Sequence, residues 1–142
     1  MPKAKQAIKY DQTIHFSVGA VIKKDDKYLL INRVQPPFGF AGVAGHIDED
    51  EDQLQALLRE VQEESGLQIK EHKLVIEEFV PWNECSKGVV GHYWYVYDCV
   101  VEGVIKQNFQ ETKSIGWYSV EEIKNLALEP VWDVWFKKLK LI

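Results

Sequence analysis

Hydrophobic and polar positions in this 142-residue chain alternate in stretches with the period of a β-strand. Residues 13–22 and 27–34 are rich in β-formers, and the run Lys24-Asp25-Asp26 between them is typical of a turn. Together they predict a hairpin. Residues 74–81 predict another strand, and residues 92–101 a long one, because apolar and polar side chains alternate strictly there.

The remaining pattern predicts a loop and then helices. Residues 35–44 hold prolines and glycines and are predicted as a loop. Residues 116–118 predict a short strand before a capping-box signature at 119–122. Pro130 is expected to open a last helix. That helix would have one apolar face made of Trp132, Trp135, Phe136 and Leu139.

This succession of elements predicts an α/β fold, a mixed sheet flanked by helices in an α/β/α sandwich. We expect residues 1–142 to form a single domain, with residues 1–12 as a flexible arm or an edge segment.

Residues 52–65 show a helical period instead. Leu54, Leu57, Leu58 and Val61 follow the three-to-four spacing of a buried stripe. Acidic residues are expected in the first turn, where they suit the helix dipole. Gly66 occupies the position where a left-handed residue usually ends a helix.

Three glutamates on this helix are candidates for a cation site. Glu60, Glu63 and Glu64 fall within about a third of a turn of one another. Such carboxylates repel and resist joint ionisation unless a cation lies among them, and Mg²⁺ or Mn²⁺ takes oxygen ligands of this kind. The alternative is a solvated acidic helix face.

The stretch from Gly45 to Leu67 resembles the Nudix box of the Nudix hydrolases. Every fixed position is filled: Gly45, Glu51, Arg59, Glu60, Val61, Glu63, Glu64, Gly66 and Leu67. The resemblance extends to the hairpin at 16–33 and to the tryptophan-bearing segment 115–123. One departure is Ala44, because family members often carry a second glycine there, and alanine is less permissive of unusual backbone angles.

The resemblance implies hydrolysis of a phosphoanhydride in a nucleoside diphosphate linked to another group. It implies Mg²⁺ or Mn²⁺ bound by Glu60, Glu63, Glu64 and the carbonyl of Ala44. Either Glu60 or Glu64 would act as the base. Arg59 is expected to pair with Glu51 and hold the geometry, although a plain salt bridge at a helix start would have the same residues.

Other residues carry weaker predictions. The resemblance suggests Glu111 as a further metal ligand, with a solvated loop acid as the alternative. His46 follows Gly45 directly, so it could contact a phosphate or pack. Three aromatic side chains in or near loops could stack on a base: Phe38, Phe40 and Trp82.

Composition and charge limit the cellular compartment and the classes of partner that we expect. The net charge is −5, without the basic patch that duplex nucleic acid requires, and no segment is long and apolar enough for a bilayer. The basic N-terminus lacks the apolar core of a signal peptide. Cys85 and Cys99 allow one disulfide at most and are expected to be packing thiols. We therefore expect a cytoplasmic monomer or homodimer acting on a small nucleotide.

Substrate identity stays open at this level. The compact domain resembles the MutT-like nucleoside triphosphate pyrophosphohydrolases. Pro81 is similar to a proline of some ADP-ribose pyrophosphatases, so a nucleotide-sugar substrate is the alternative. A non-catalytic nucleotide-binding domain would not need three crowded glutamates. The isopentenyl-diphosphate isomerases share the fold but use a cysteine in surroundings unlike those of Cys85 or Cys99.

Overall fold

The computed structural model describes residues 4–7, 12–82 and 91–142. Its elements in chain order are β1 (Ala4–Ala7), β2 (Gln12–Lys24), β3 (Lys27–Arg33), β4 (Phe40–Ala41), β5 (Val43–His46), α1 (Gln53–Ser65), β6 (Gln68–Val80), β7 (His92–Glu102), β8 (Thr112–Ser119), α2 (Val120–Ile123) and α3 (Pro130–Lys138).

The described strands form one mixed sheet of eight strands around β2. Its main path runs β4-β3-β2-β7-β6, while β1 and β5 also pair with β2 and β8 pairs with β3. The β2–β7 pair is parallel and the other pairs are antiparallel. The hairpin between β2 and β3 turns at Asp25 and Asp26, whose φ angles of 52° and 61° fit the turn that matches strand twist. The predicted hairpin is confirmed.

Helices cover both faces of this sheet. On one face, Leu57 and Val61 of α1 pack against Val18 and Ile22 of β2. On the other face, α3 packs against β7 through a cluster of aromatic and aliphatic side chains. The predicted α/β/α sandwich is therefore confirmed. Leu58, predicted in the buried stripe, is 48% exposed because it lies about 100° round the helix from Leu57.

Tryptophans lock α3 onto the sheet. Trp132, Trp135 and Phe136 are almost fully buried. Trp94 of β7 meets Trp132 and Trp135 edge to face, with ring centroids 6.4 and 5.9 Å away. Aromatic pairs prefer this geometry because the positive ring edge faces the negative ring face. Leu139, predicted on the same face, is partly buried against the same cluster.

Several predicted boundaries were wrong. The predicted loop at 35–44 contains β4 and the start of β5, which pair with β3 and β2 through backbone groups that a propensity pattern does not show. Strand β6 begins at Gln68 because its polar first half pairs with β7 from Gln68 opposite Glu102. Strand β8 likewise begins at Thr112, opposite Arg33 of β3.

The N-terminal residues that the structure describes belong to the sheet edge. Strand β1 pairs antiparallel with β2, with Ala4 opposite His15. Residues 1–3 and 8–11 lie outside the described residues, so the prediction of a flexible arm stays a prediction for them. Within the described ranges, every helix is too short or too polar to cross a membrane.

Two glycines make room for Trp132. A Cβ atom at Gly42 would lie 2.5 Å from Cη2 of Trp132, and one at Gly19 would lie 3.0 Å from Cζ2 of the same ring. We expect Gly42→Ala to lower the free energy of unfolding by about 1–3 kcal/mol, since an overpacked core must shift its side chains. Denaturant unfolding measures this. Gly116→Ala is the control, because its nearest new contact is 3.7 Å away, and an equal loss in both variants would contradict the explanation.

Candidate active site

Local capping places the helix that carries the glutamates. Asp52 caps α1, accepting a 2.8 Å hydrogen bond from the Gln55 backbone N–H, while the Gln55 side chain accepts one from the Asp52 N–H. Gly66 ends the helix with a φ of 76°, and its N–H donates to the carbonyl of Gln62. The expected acidic first turn was wrong: the acidic run at 48–52 forms the loop and cap before the helix.

Arg59 connects this loop to the helix. Its Nε and Nη2 donate to the two carboxylate oxygens of Glu51 at 2.7 and 2.8 Å, and Nη1 donates to Glu60 at 2.7 Å. Nη2 also donates to the backbone carbonyl of His46 at 3.0 Å. These contacts raise the pKa of Arg59, chiefly through the hydrogen bond to Glu51. The planar guanidinium thus holds two carboxylates and the end of β5 in one arrangement.

Gly45 lets Glu60 lie against the sheet. A Cβ atom at Gly45 would overlap the Glu60 carboxyl group, so no other residue fits here without displacing that side chain. Ala56, one turn before Glu60, is fully buried. Ala44 precedes Gly45 on β5 and is 8% exposed. The strand backbone and the Glu60 carboxyl group are therefore in direct contact.

Glu60 and Glu64 form a pair of acids, in which Glu64 is buried and the Glu60 side chain is 13% exposed. Burial raises the pKa of Glu60 to about 7 against the opposing hydrogen bond from Arg59. Burial, followed by the charges of Glu60 and Glu111, raises the pKa of Glu64 well above its ordinary value. Glu64 is 4% exposed, and its Oε2 lacks a hydrogen-bond partner within the described part of the chain.

This arrangement fits a divalent cation. Buried carboxylates that share a negative field stay protonated unless a positive charge offsets their repulsion. A buried carboxylate oxygen without a hydrogen bond is costly, and coordination is one way to satisfy it. Oxygen donors of this kind suit Mg²⁺ and Mn²⁺. The residues present therefore fit the ion that the sequence pattern indicates.

Glu63 and Glu111 border this pair. The Glu63 side chain is 55% exposed and lies 3.3 Å from Nη1 of Arg59. Glu111 is exposed, in a loop whose Asn108 side chain donates to the Glu63 carbonyl at 3.4 Å. Glu111 raises the pKa of both Glu60 and Glu64, so its charge lies within their electrostatic range.

The predicted stacking residues differ in exposure. Phe38 is 58% exposed, with Nζ of Lys113 at 5.5 Å from its ring centroid. Phe40 is half-buried against the core, 5.7 Å from the ring of Tyr118. Trp82 is 51% exposed at the end of a described segment. Phe38 is therefore the most open of the three rings.

Two further residues from the sequence analysis are His46 and Cys99. The His46 ring lies beside that of His92, with Nε2 atoms 3.0 Å apart. Cys99 is buried, which raises the pKa of its thiol to about 12, so it is unsuited to nucleophilic chemistry. Cys85 lies outside the described residues.

Sequence reasoning missed Arg33 and Asn108. Arg33, at the end of β3, is the positive charge that opposes the raised pKa of Glu64. Its Nε donates to the Pro37 carbonyl at 2.8 Å. Neither residue belongs to a local motif, because the fold brings both to the glutamates from distant parts of the chain. The only related feature in the sequence was the predicted strand at residues 27–34, which contains Arg33.

Comparison with known proteins identifies the family. A family model described as NUDIX domain matches residues 13–139. The chain belongs to the NUDIX family. It is 32% identical over 121 residues to the CTP pyrophosphohydrolase of Escherichia coli strain K12, covering 80% of this chain and 82% of that protein. The prediction of a Nudix-type pyrophosphohydrolase is thereby confirmed.

Solved structures agree with the fold. The MutT NUDIX hydrolase of Burkholderia pseudomallei superposes with a TM-score of 0.73 at 21% identity, covering 84% of this chain and 92% of that one. The NUDIX domain of Shewanella oneidensis NrtR, solved with ADP ribose, gives 0.76 at 18% identity, with 94% and 90% covered.

The raised pKa of Glu60 predicts how stability depends on pH without metal. A carboxyl group whose pKa rises from 4.5 to about 7 on folding stabilises the protein fully below pH 4.5. That contribution is lost as the pH rises towards 7. Glu60→Gln should therefore flatten the decline in melting temperature between these values in buffer with a chelator. The control is Glu49→Gln, an exposed acid in the loop before α1, and identical slopes in parent and Glu60→Gln would contradict this.

Proposed function

We propose that this Nudix protein hydrolyses a nucleoside triphosphate to a nucleoside monophosphate and pyrophosphate with Mg²⁺ or Mn²⁺. The observation that carries the proposal is the Glu60–Glu64 pair beside Gly45, in which the buried Glu64 has an oxygen that lacks a hydrogen bond among the described residues. The similarity to a CTP pyrophosphohydrolase supports a triphosphate substrate.

We assign the ion to Glu60, Glu63, Glu64, Glu111 and the carbonyl of Ala44. When bound, it would offset the negative charge of the substrate phosphates and polarise a phosphoryl oxygen as a Lewis acid. Arg59 and Glu51 act as positioning residues, because their fork fixes Glu60 relative to the end of β5. Their effect is on geometry, which matters because small displacements of reacting groups slow catalysis strongly.

The reaction needs one base. The oxygen of water forms a bond to one of the two phosphorus atoms of the anhydride, and the bond from that phosphorus to the bridging oxygen breaks. The electron pair of that bond leaves with the other group, which is pyrophosphate or the nucleoside monophosphate, and the water proton passes to the Glu60–Glu64 pair. Because the charge of Glu60 raises the pKa of Glu64, the proton belongs to the pair rather than to one of them. Glu60 and Glu64 are therefore both candidates for the base.

ADP-ribose or another nucleotide sugar is the alternative substrate. The same carboxylates would serve, and one NUDIX domain of similar fold binds ADP ribose. A purely nucleotide-binding role is less well supported, since it offers no reason to bury Glu60 and Glu64 together at the electrostatic cost seen here.

The setting that we propose is cytoplasmic, with the protein acting as a monomer or homodimer on small nucleotides. The buried, free thiol of Cys99 is compatible with a reducing compartment. The net charge of −5 disfavours duplex nucleic acid and anionic membrane surfaces as partners.

A substrate panel tests the activity. Ribonucleoside and deoxyribonucleoside triphosphates, ADP-ribose and nucleotide sugars are incubated with Mg²⁺ or Mn²⁺ in water enriched in heavy oxygen. We expect a nucleoside monophosphate and pyrophosphate, with one labelled oxygen on a phosphate-bearing product and none on sugar or base. Orthophosphate as the first product, or label on the sugar, would overturn the mechanism. If the enzyme turns over ADP-ribose and none of the triphosphates, ADP-ribose would replace the triphosphate as the proposed substrate.

Removal of the Glu64 carboxylate should slow turnover strongly. We expect Glu64→Gln to lower kcat by about 10²–10⁴-fold, the range associated with a positioned base, and a chelator to abolish activity of the parent. Steady-state kinetics on the best substrate measures both effects. Glu49→Gln should keep full activity, because it makes the same charge change at an exposed position. A Glu64→Gln enzyme as fast as the parent would exclude a role for this carboxylate.

Phe38 is the residue that we propose to stack on the base. Stacking on an aromatic ring is worth about 1–3 kcal/mol per base in nucleic-acid systems. Phe38→Ala should therefore raise KM about fivefold or more with little change in kcat, as when uniform binding is lost. Phe40→Ala and Trp82→Ala are compared in the same assay. An unchanged KM in Phe38→Ala with a raised KM in either of the others would move the base there.

A further inference from the structure

Three histidines project from one face of three neighbouring strands. His15 of β2 lies opposite His92 in the parallel pair with β7. His46 of β5 lies opposite Ser17, two residues along β2 from His15. Because side chains two apart on a strand share a face, all three imidazoles lie on the same side of the sheet. We call these residues the histidine trio.

The rings of the trio are close enough to share one ion. The Nε2 atoms of His46 and His92 are 3.0 Å apart, and one ring nitrogen from each of the three lies within 4.8 Å of the others. Three nitrogens bound to one zinc ion at about 2.0–2.1 Å lie about 3.4 Å apart in tetrahedral geometry. The spacing within the trio, at most 4.8 Å, is close to that value.

Burial and access suit a bound metal. His92 is 2% exposed and His15 is 9% exposed, whereas His46 is partly exposed and gives a path from solvent. The facing Nε2 atoms of His46 and His92 cannot both carry a proton at 3.0 Å. One of them therefore accepts the hydrogen bond of the other through its lone pair, and the same lone pair is what a neutral imidazole donates to a metal.

The trio is separate from the carboxylate site. Successive residues of β5 point to opposite faces of the sheet, and Gly45 faces Glu60. The next residue, His46, therefore points away from Glu60. One face offers oxygen ligands, which hard cations prefer, and the other offers imidazole nitrogens, which suit Zn²⁺, Ni²⁺ and Cu²⁺.

We propose that the histidine trio is a second metal site that binds a divalent transition ion, with Zn²⁺ as the test ion. His15, His46 and His92 supply three ligands, and the fourth position is open to water or another ligand. Binding would tie together β2, β5 and β7, the strands on which the trio lies. This proposal does not depend on the proposed hydrolysis.

Metal binding to the full chain without an affinity tag tests the proposal. Metal-free protein is titrated with Zn²⁺ in excess Mg²⁺, and Co²⁺ is added separately to record its visible absorption bands. We expect one Zn²⁺ per chain, a Co²⁺ spectrum of a tetrahedral site, and a higher melting temperature with Zn²⁺. A parent that binds no Zn²⁺ in excess Mg²⁺ would overturn the site.

Variants then locate the ion. His46→Gln should weaken Zn²⁺ binding by more than about tenfold, since one of three ligands is lost. The side chain is partly exposed, and melting of the metal-free variant is measured to test whether it folds like the parent. His72→Gln, at an exposed strand position, and Glu64→Gln should bind Zn²⁺ as the parent does. Zinc binding that survives His46→Gln and disappears in Glu64→Gln would place the ion at the carboxylates and refute the trio. Because the readout is binding, failure of nucleotide hydrolysis leaves the result unaffected.

Discussion

The guanidinium of Arg59 holds together the parts on which this site depends. It binds both oxygens of Glu51, one oxygen of Glu60 and the carbonyl of His46. Those partners come from the acidic loop, from helix α1 and from the end of strand β5. An arginine can do this because its donors form a rigid, planar fork, whereas a lysine would offer one point charge.

The charge of Arg59 does not balance the acids around it. Glu60 and Glu64 keep raised pKa values although Arg59 hydrogen-bonds Glu60 and Arg33 acts on Glu64. A folded protein that retains such a cluster gives up stability in the absence of metal. Functional sites commonly show this conflict, because groups arranged for a ligand are rarely those that stabilise the chain alone. The tightly packed tryptophans on the opposite face of the sheet help to offset this loss of stability.

Local chemistry explains which features could be predicted from the sequence. The limits of α1 follow from the cap at Asp52 and the left-handed Gly66, and the hairpin from two aspartates. Features set by distant pairing were missed. The polar first half of β6 is a strand because it pairs with β7. The approach of Arg33 to Glu64, and of His15 to His92, likewise depends on segments that meet only in the fold.

The parallel pairing of β2 with β7 also bears on how the chain folds. The hairpin and the β5–α1 segment join residues that are near neighbours in sequence, so they can form early. Strand β7 follows only after α1 and β6, yet it must dock beside β2 before Trp94 can receive α3. Bringing β7 beside β2 closes a long chain segment, and this costs conformational entropy before the stabilising contacts form. The cost slows folding. We therefore infer that the carboxylate helix and its loop are assembled before the sheet that supports them is complete.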